Sequence, residues 1–328
     1  MVRETNQNTG AYVRWVYPAA GHYVVSYRTV RQVGEEVMSA VFYDGAGRVR
    51  AVSSEFPGSS GGRRAVHYMN DAMGRRVWAS NPAEINDSWQ PVGDDAGDWQ
   101  WTKQEYDWQG RVTLTINPDG STRELSYTGC GCAGGEVITS RDERGRRKRL
   151  YKDVLGRLTR VEELNWDGSV YATAWYSYNG RDQLIQINHE GQVRTFEYDG
   201  HGRLWRRTTP EQGQTIYSYN ADDTVNTITD ARGASQTFQY NGRHLVTAIN
   251  YGVPQGVARS ANVQYGYDEA GNRVWMADGM GRVDYEYDVL GQLVAETRYF
   301  SELNGRYRLE YGYDLAGELT SLINPWVC

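Results

Sequence analysis

The chain has 328 residues, 39% hydrophobic and 12% aromatic, with 25 tyrosines and 11 tryptophans. That aromatic load excludes a disordered chain, and a formal net charge of −6 argues against a nucleic-acid footprint. No run approaches the roughly 18 apolar residues of a helical membrane span, and three cysteines are too few for a disulfide framework.

Lys103, Lys148 and Lys152 are the only lysines among 35 basic residues. The arginine excess suits guanidinium groups that stack on rings and pair with carboxylates.

The opening MVRETNQNTG has no apolar core, so no signal peptide is visible. Residues 1–127 read as degenerate copies of a repeat around Tyr43, Asp71 and Tyr106, interrupted by a Trp-rich, loop-like insert at about 81–101. Residues 110–127 give the unit in outline. Val112, Leu114 and Ile116 alternate with Arg111, Thr113 and Thr115, the period of a half-buried strand. Asn117-Pro118-Asp119-Gly120 predicts a tight turn, and a second strand runs to Tyr127.

Residues 128–149 form a Cys/Gly and Arg-rich junction, with Cys130, Cys132 and a basic run over 141–149 that reads as a solvated turn. Residues 150–328 are the regular array. An aromatic, any residue and a tyrosine recur at Tyr176/Tyr178, Phe196/Tyr198, Tyr217/Tyr219, Phe238/Tyr240, Tyr265/Tyr267, Tyr285/Tyr287 and Tyr311/Tyr313. The second tyrosines are 20, 21, 21, 27, 20 and 26 residues apart.

A turn phrase follows: Tyr43-Asp44 with Gly47, Tyr106-Asp107 with Gly110, and Tyr198-Asp199 with Gly202. It returns as Tyr267-Asp268 with Gly271, Tyr287-Asp288 with Gly291, and Tyr313-Asp314 with Gly317. Asp accepts backbone N–H groups inside the turn, and Gly takes the positive φ closed to other residues. Second turns fall midway through most repeats, as at Asp230–Gly233, so each unit is a hairpin.

A fixed period of this size marks stacked units that cannot bury an apolar face alone. Stacking predicts tyrosine rings of one unit against those of the next, fixing the register. Helix signals are nearly absent, and the expected fold is all-β: repeated hairpins stacked into one continuous sheet. A β-propeller with two units per blade is the architectural rival.

Several motifs suggest chemistry but lack its context. Gly58-Ser59-Ser60-Gly61-Gly62 matches a nucleophile elbow, yet a strand-like run through His67 follows where a helix is needed. Gly129, Gly131 and Gly134 match a dinucleotide fingerprint, again without a helix. Cys130 and Cys132 fit structural turn thiols, with metal binding, disulfide chemistry and a nucleophile as alternatives. The pairs Asp94/Asp95, Glu162/Glu163 and Asp222/Asp223 are adjacent residues, which face opposite sides of a strand. Trp89, Trp99, Trp101 and Trp108 are the candidates for glycan contact, as platforms for sugar rings; packing between turns is the alternative.

The phrase Tyr-Asp-x-x-Gly-Arg-Leu, as in Tyr198-Asp199-Gly200-His201-Gly202-Arg203-Leu204, closely resembles the YD repeats of the RHS family. That family includes bacterial polymorphic toxins, the cocoon-forming subunits of insecticidal toxin complexes, and teneurins. The resemblance is strong over 150–328 and weaker over 40–127. It implies a spiralling β-sheet that winds into an open shell segment. In the toxins a C-terminal effector is enclosed and an Asp-Pro-x-Gly autoprotease acts near the end of the repeats. This sequence contains neither that motif nor its Asn-Asn-Pro companion.

What the resemblance implies for this chain is a scaffold, with no catalytic residue, cofactor or metal. Its partners would be other YD-repeat segments of the same parent and an encapsulated C-terminal effector; glycans are the alternative partner. The setting would be extracellular or the cell surface. Neither end carries a polar capping unit, so a fragment of a longer protein is expected.

Overall fold

A computed structural model describes residues 2–5, 12–19, 21–29, 36–56, 61–91, 99–129, 135–256, 258–302, 305–315 and 317–324. Among them, 28 strands join in an antiparallel sheet and no helix forms. The all-β expectation holds. Strands pair with their sequence neighbours: β16 (Leu184–His189) with β17 (Gln192–Tyr198), β17 with β18 (Leu204–Thr209), and β18 with β19 (Gly213–Tyr219). This continuous pairing is not the separate blades of a propeller.

The tyrosine of the turn phrase sits at a register shift. Glu197 pairs with Arg206 but Tyr198 pairs with Leu204, so Trp205 is the extra residue of a β-bulge. The same shift occurs at Tyr43, Tyr178, Tyr219, Tyr267, Tyr287 and Tyr313. A type I turn closed by a left-handed residue generates such a bulge in a short hairpin.

Within the Trp-rich insert, described at 81–91 and 99–101, Ala83–Ile85 forms a strand. β6 (Arg63–Asn70) pairs with β7 (Arg76–Ser80) and also with β8 (Ala83–Ile85). β9 (Trp101–Tyr106) then returns to β7, with Trp78 opposite Lys103. β10 (Val112–Ile116) departs from the predicted alternation, because all five residues are half-buried. Neither face of that strand is fully covered.

The chain divides into two compact units. One comprises Met1–Lys103, Leu245–Ala248 and Asn262–Cys328; the other, Gln104–His244 and Ile249–Ala261. The first holds an apolar core of Met38, Ala40, Phe42 and Ala51, packed by Tyr23, Val25, Tyr27 and Trp89. It also joins distant segments. Arg28, on β3 (Tyr23–Thr29), donates from Nη2 to the Leu290 carbonyl at 3.3 Å. Arg64, on β6, donates from Nη1 to the Leu315 carbonyl at 2.5 Å. The second unit buries little apolar side chain beyond Ala172, and half-buried residues make up most of its strands.

Candidate functional site

The repeated turn is the chain's most elaborate polar site. At Asp199, the N–H groups of His201 and Arg203 both donate to Oδ1 at 2.9 Å, and Arg203 Nε donates to Oδ2 at 2.8 Å. Gly202 N–H donates to the Asp199 carbonyl at 3.0 Å, and Asp199 N–H to the Arg203 carbonyl at 2.8 Å. Asp44 and Asp107 repeat this set with Arg48 and Arg111. The Arg48 backbone N–H, opposed by desolvation, leads in holding the Asp44 carboxyl below its ordinary range. Such aspartates are committed to the turn.

Later copies vary the fifth residue. Asn272 Nδ2 donates to Asp268 at 2.9 Å, whereas Asp288 and Asp314 bind the backbone N–H groups of Gln292 and Glu318. Gly47, Gly110, Gly202, Gly271, Gly291 and Gly317 all have φ between +77° and +95°. In three sister turns Asp182, Asp223 and His244 occupy that place, at φ of 61°, 65° and 60°.

The expected ring-on-ring ladder is replaced by another linkage. The Tyr198 hydroxyl donates to the Leu184 carbonyl at 2.8 Å, the first strand residue after the preceding turn. Tyr178, Tyr219 and Tyr240 reach Leu158, Leu204 and Val225 in the same way. Tyr267, Tyr287 and Tyr313 reach Val246, Arg273 and Leu293. Tyr106 donates instead to Gln104, and Tyr43 is held through its N–H to the His22 carbonyl.

Arginines add a second link. Arg203 lies over the Tyr219 ring, 4.6 Å from its centroid, while its Nη1 donates to Asp223 at 2.7 Å. Arg157 does the same with Tyr178 and Asp182. From one unit to the next, a hydroxyl thus meets a carbonyl and a guanidinium covers a ring. The sequence carries a sign of this: the second aromatic of all seven pairs is tyrosine, whereas Phe196 and Phe238 occur at the first.

Three of the four glycan candidates are not free platforms. Trp89 stacks on Trp99 at 5.9 Å, and Trp99 on Trp101 at 6.4 Å. Phe42 meets Trp89 edge-on, and Trp78 meets Trp101. Trp101 begins β9, and Trp99 and Trp89 continue the stack from outside the strands. Only Trp108, at a turn tip, stays open, at 86% exposure. His67 is buried between Trp99 and Trp101.

Ser60, Cys130, Cys132, Asp94 and Asp95 lie outside the described residues. The other carboxylate pairs diverge as expected. Glu162 accepts the Tyr151 hydroxyl and Glu163 the Lys148 ammonium, each at 2.8 Å. Asp222 binds Thr224 and Asp223 binds Arg203. In the basic run, Arg141, Arg146 and Lys148 pair with Glu124, Asp142 and Glu163. Among the described residues no cluster of His, Cys, Asp and Glu could hold a metal.

Comparison with known proteins agrees with this geometry. The RHS Repeat family model matches residues 178–213, which span the Asp199 turn. The chain is 29% identical over 207 residues to double-stranded DNA deaminase toxin A of Burkholderia cenocepacia (strain H111), covering 58% of this chain and 14% of that protein. The crystal structure of TcdB2-TccC3 superposes with a TM-score of 0.56 at 15% identity, over 98% of this chain and 20% of that one. The Photorhabdus luminescens Tc holotoxin pore, with a TccC3 variant, gives 0.52 at 13% identity, over 92% and 22%. The chain therefore spans 14% of the deaminase toxin and about a fifth of the toxin-complex chains. The repeat match over residues 178–213, the recurring turn and the shared fold make this chain similar to RHS-repeat proteins.

Proposed function

We propose that this chain is a stretch of structural wall: a segment of an RHS shell in a larger bacterial secreted or surface protein, enclosing or presenting another domain. The observation that carries the reading is the tyrosine-to-carbonyl staple repeated from unit to unit, with turn aspartates already committed to their own backbone. Residues bound in this way hold strands together and are not available for acid–base or nucleophilic work. The low share of each relative that the chain spans fits a segment, and the toxin names of those relatives fit an enclosed effector.

The reading makes this chain non-catalytic, its partners further repeats of the same protein and the domain they surround. Limited proteolysis of the protein made from its complete reading frame tests it. The enclosed domain should survive protease as long as the repeats stay folded, and be digested once they unfold. Digestion at the rate of a free domain would remove the proposal.

Trp108 favours a second reading, contact with glycans, since its indole stands open at a turn tip. A glycan array giving no signal, or an unchanged signal with Trp108→Ala, eliminates it.

A further inference from the structure

The tetrapeptide Asp-Val-Leu-Gly occurs twice, at 153–156 and 288–291. The two turns are built alike. Leu155 and Leu290 N–H groups each donate to the turn aspartate Oδ1 at 2.9 Å, and Gly156 and Gly291 share a φ of 81°. They differ in what covers them. Val154 and Leu155 are 63% and 66% exposed. Val289 and Leu290 are half-buried, and the Leu290 carbonyl receives Arg28 from β3. The Asp314–Gly317 tip is seated similarly, with the Leu315 carbonyl receiving Arg64 from β6. One sequence in one geometry is thus docked in one place and bare in the other.

We infer that the Asp153–Gly156 turn is a docking tip, and that its occupant is a YD-repeat sheet face presenting an arginine, from repeats outside residues 1–328. The inference rests on the wall reading above and adds a named contact to it. Chemistry favours this occupant. An arginine has an aliphatic stem able to cover the Val-Leu pair, and a guanidinium able to take a tip carbonyl, as that of Arg28 does at Leu290.

Size favours it as well. Two side chains bury far less than the roughly 1,200–2,000 Å² of a stable interface between separate proteins. Such a contact persists only where the chain itself supplies a high effective concentration. The two docked tips meet that condition, joining residues 262 and 251 positions apart in one chain.

Photo-crosslinking tests the inference. A benzophenone-bearing phenylalanine is placed at position 155 or at 290, in the 328-residue chain and in the protein made from the complete reading frame. Position 290 should link to the Tyr23–Thr29 strand in both. Position 155 should link only in the complete protein, to a repeat strand beyond 1–328, and Leu155→Asp should leave Val154 as open to hydroxyl-radical labelling there as in the 328-residue chain. A linked product with a separate protein, with a second copy, or with no partner while position 290 links normally overturns the inference. So does a reading frame that supplies no further repeat. A hollow shell seen together with an unlinked position 155 would sink the docking tip and leave the wall standing.

Discussion

Replacing Tyr198 by phenylalanine removes one oxygen and leaves the ring. The lost bond is the hydroxyl donation to the Leu184 carbonyl at 2.8 Å, and among the described residues no guanidinium lies over this ring to complicate the change. A neutral hydrogen bond of this kind contributes about 0.5–1.5 kcal/mol net, so Tyr198→Phe should cost about 1 kcal/mol. Tyr219→Phe should cost a similar amount, since its hydroxyl serves a different carbonyl, that of Leu204. The double variant should lose about 2 kcal/mol, and since Leu204 pairs with Tyr198, any departure beyond roughly 0.5 kcal/mol measures the coupling of the two staples. Tyr217→Phe, at the first aromatic position, is the control and should stay within about 0.5 kcal/mol of the parent.

Urea denaturation followed by circular dichroism gives the global values. Because neighbour-coupled arrays open locally, amide exchange over Leu184–Thr209 should also quicken in Tyr198→Phe. If Tyr198→Phe matches Tyr217→Phe in both stability and exchange, the hydroxyl does not hold the units together and the staple has no energetic weight.

Three further perturbations separate the remaining features. His244→Gly places glycine where a side chain now sits at φ 60° and should stabilise the chain by about 0.5–1 kcal/mol in urea melts; a loss would mean that the His244 contacts outweigh backbone strain. Trp101→Ala, which opens the stacked cluster, should cost about 2 kcal/mol or more, against less than about 0.5 kcal/mol for exposed Trp108→Ala; equal costs would contradict the packing. Glu36 accepts Arg14 and the Tyr12 hydroxyl, and the Arg14 bond leads in lowering its carboxyl from 4.5 to about 2. A carboxyl depressed in the folded state contributes above its unfolded pKa and loses that contribution as pH falls through the folded one. The Tm difference between the parent and Glu36→Gln should therefore shrink from pH 5 to pH 2, and a constant difference would refute it.

The sequence made the turns legible because their chemistry is local. Asp199 and Gly202 act on backbone within four residues, and the Asp-x-x-Gly spacing encodes that action directly. Strand positions followed from the turns. The staple was harder to see because it joins residues 14 to 21 positions apart. Tyrosine at all seven second positions was the available sign, but it suits ring stacking equally well until the geometry is known.

The tryptophans were ambiguous for a different reason. An indole in an irregular stretch is open or packed according to where the chain returns, and the β9 pairing with β7 decides that only after folding. The seats of Leu290 on Arg28 and Leu315 on Arg64 left no local signature at all. Two copies of Asp-Val-Leu-Gly read the same in one dimension.

Electron cryomicroscopy of the protein made from its complete reading frame tests the scaffold most directly. The reading predicts a thin curved wall of antiparallel strands around an internal volume, with residues 150–328 forming part of that wall. A solid particle with no lumen, or these strands folded into an isolated domain away from any enclosure, would contradict it.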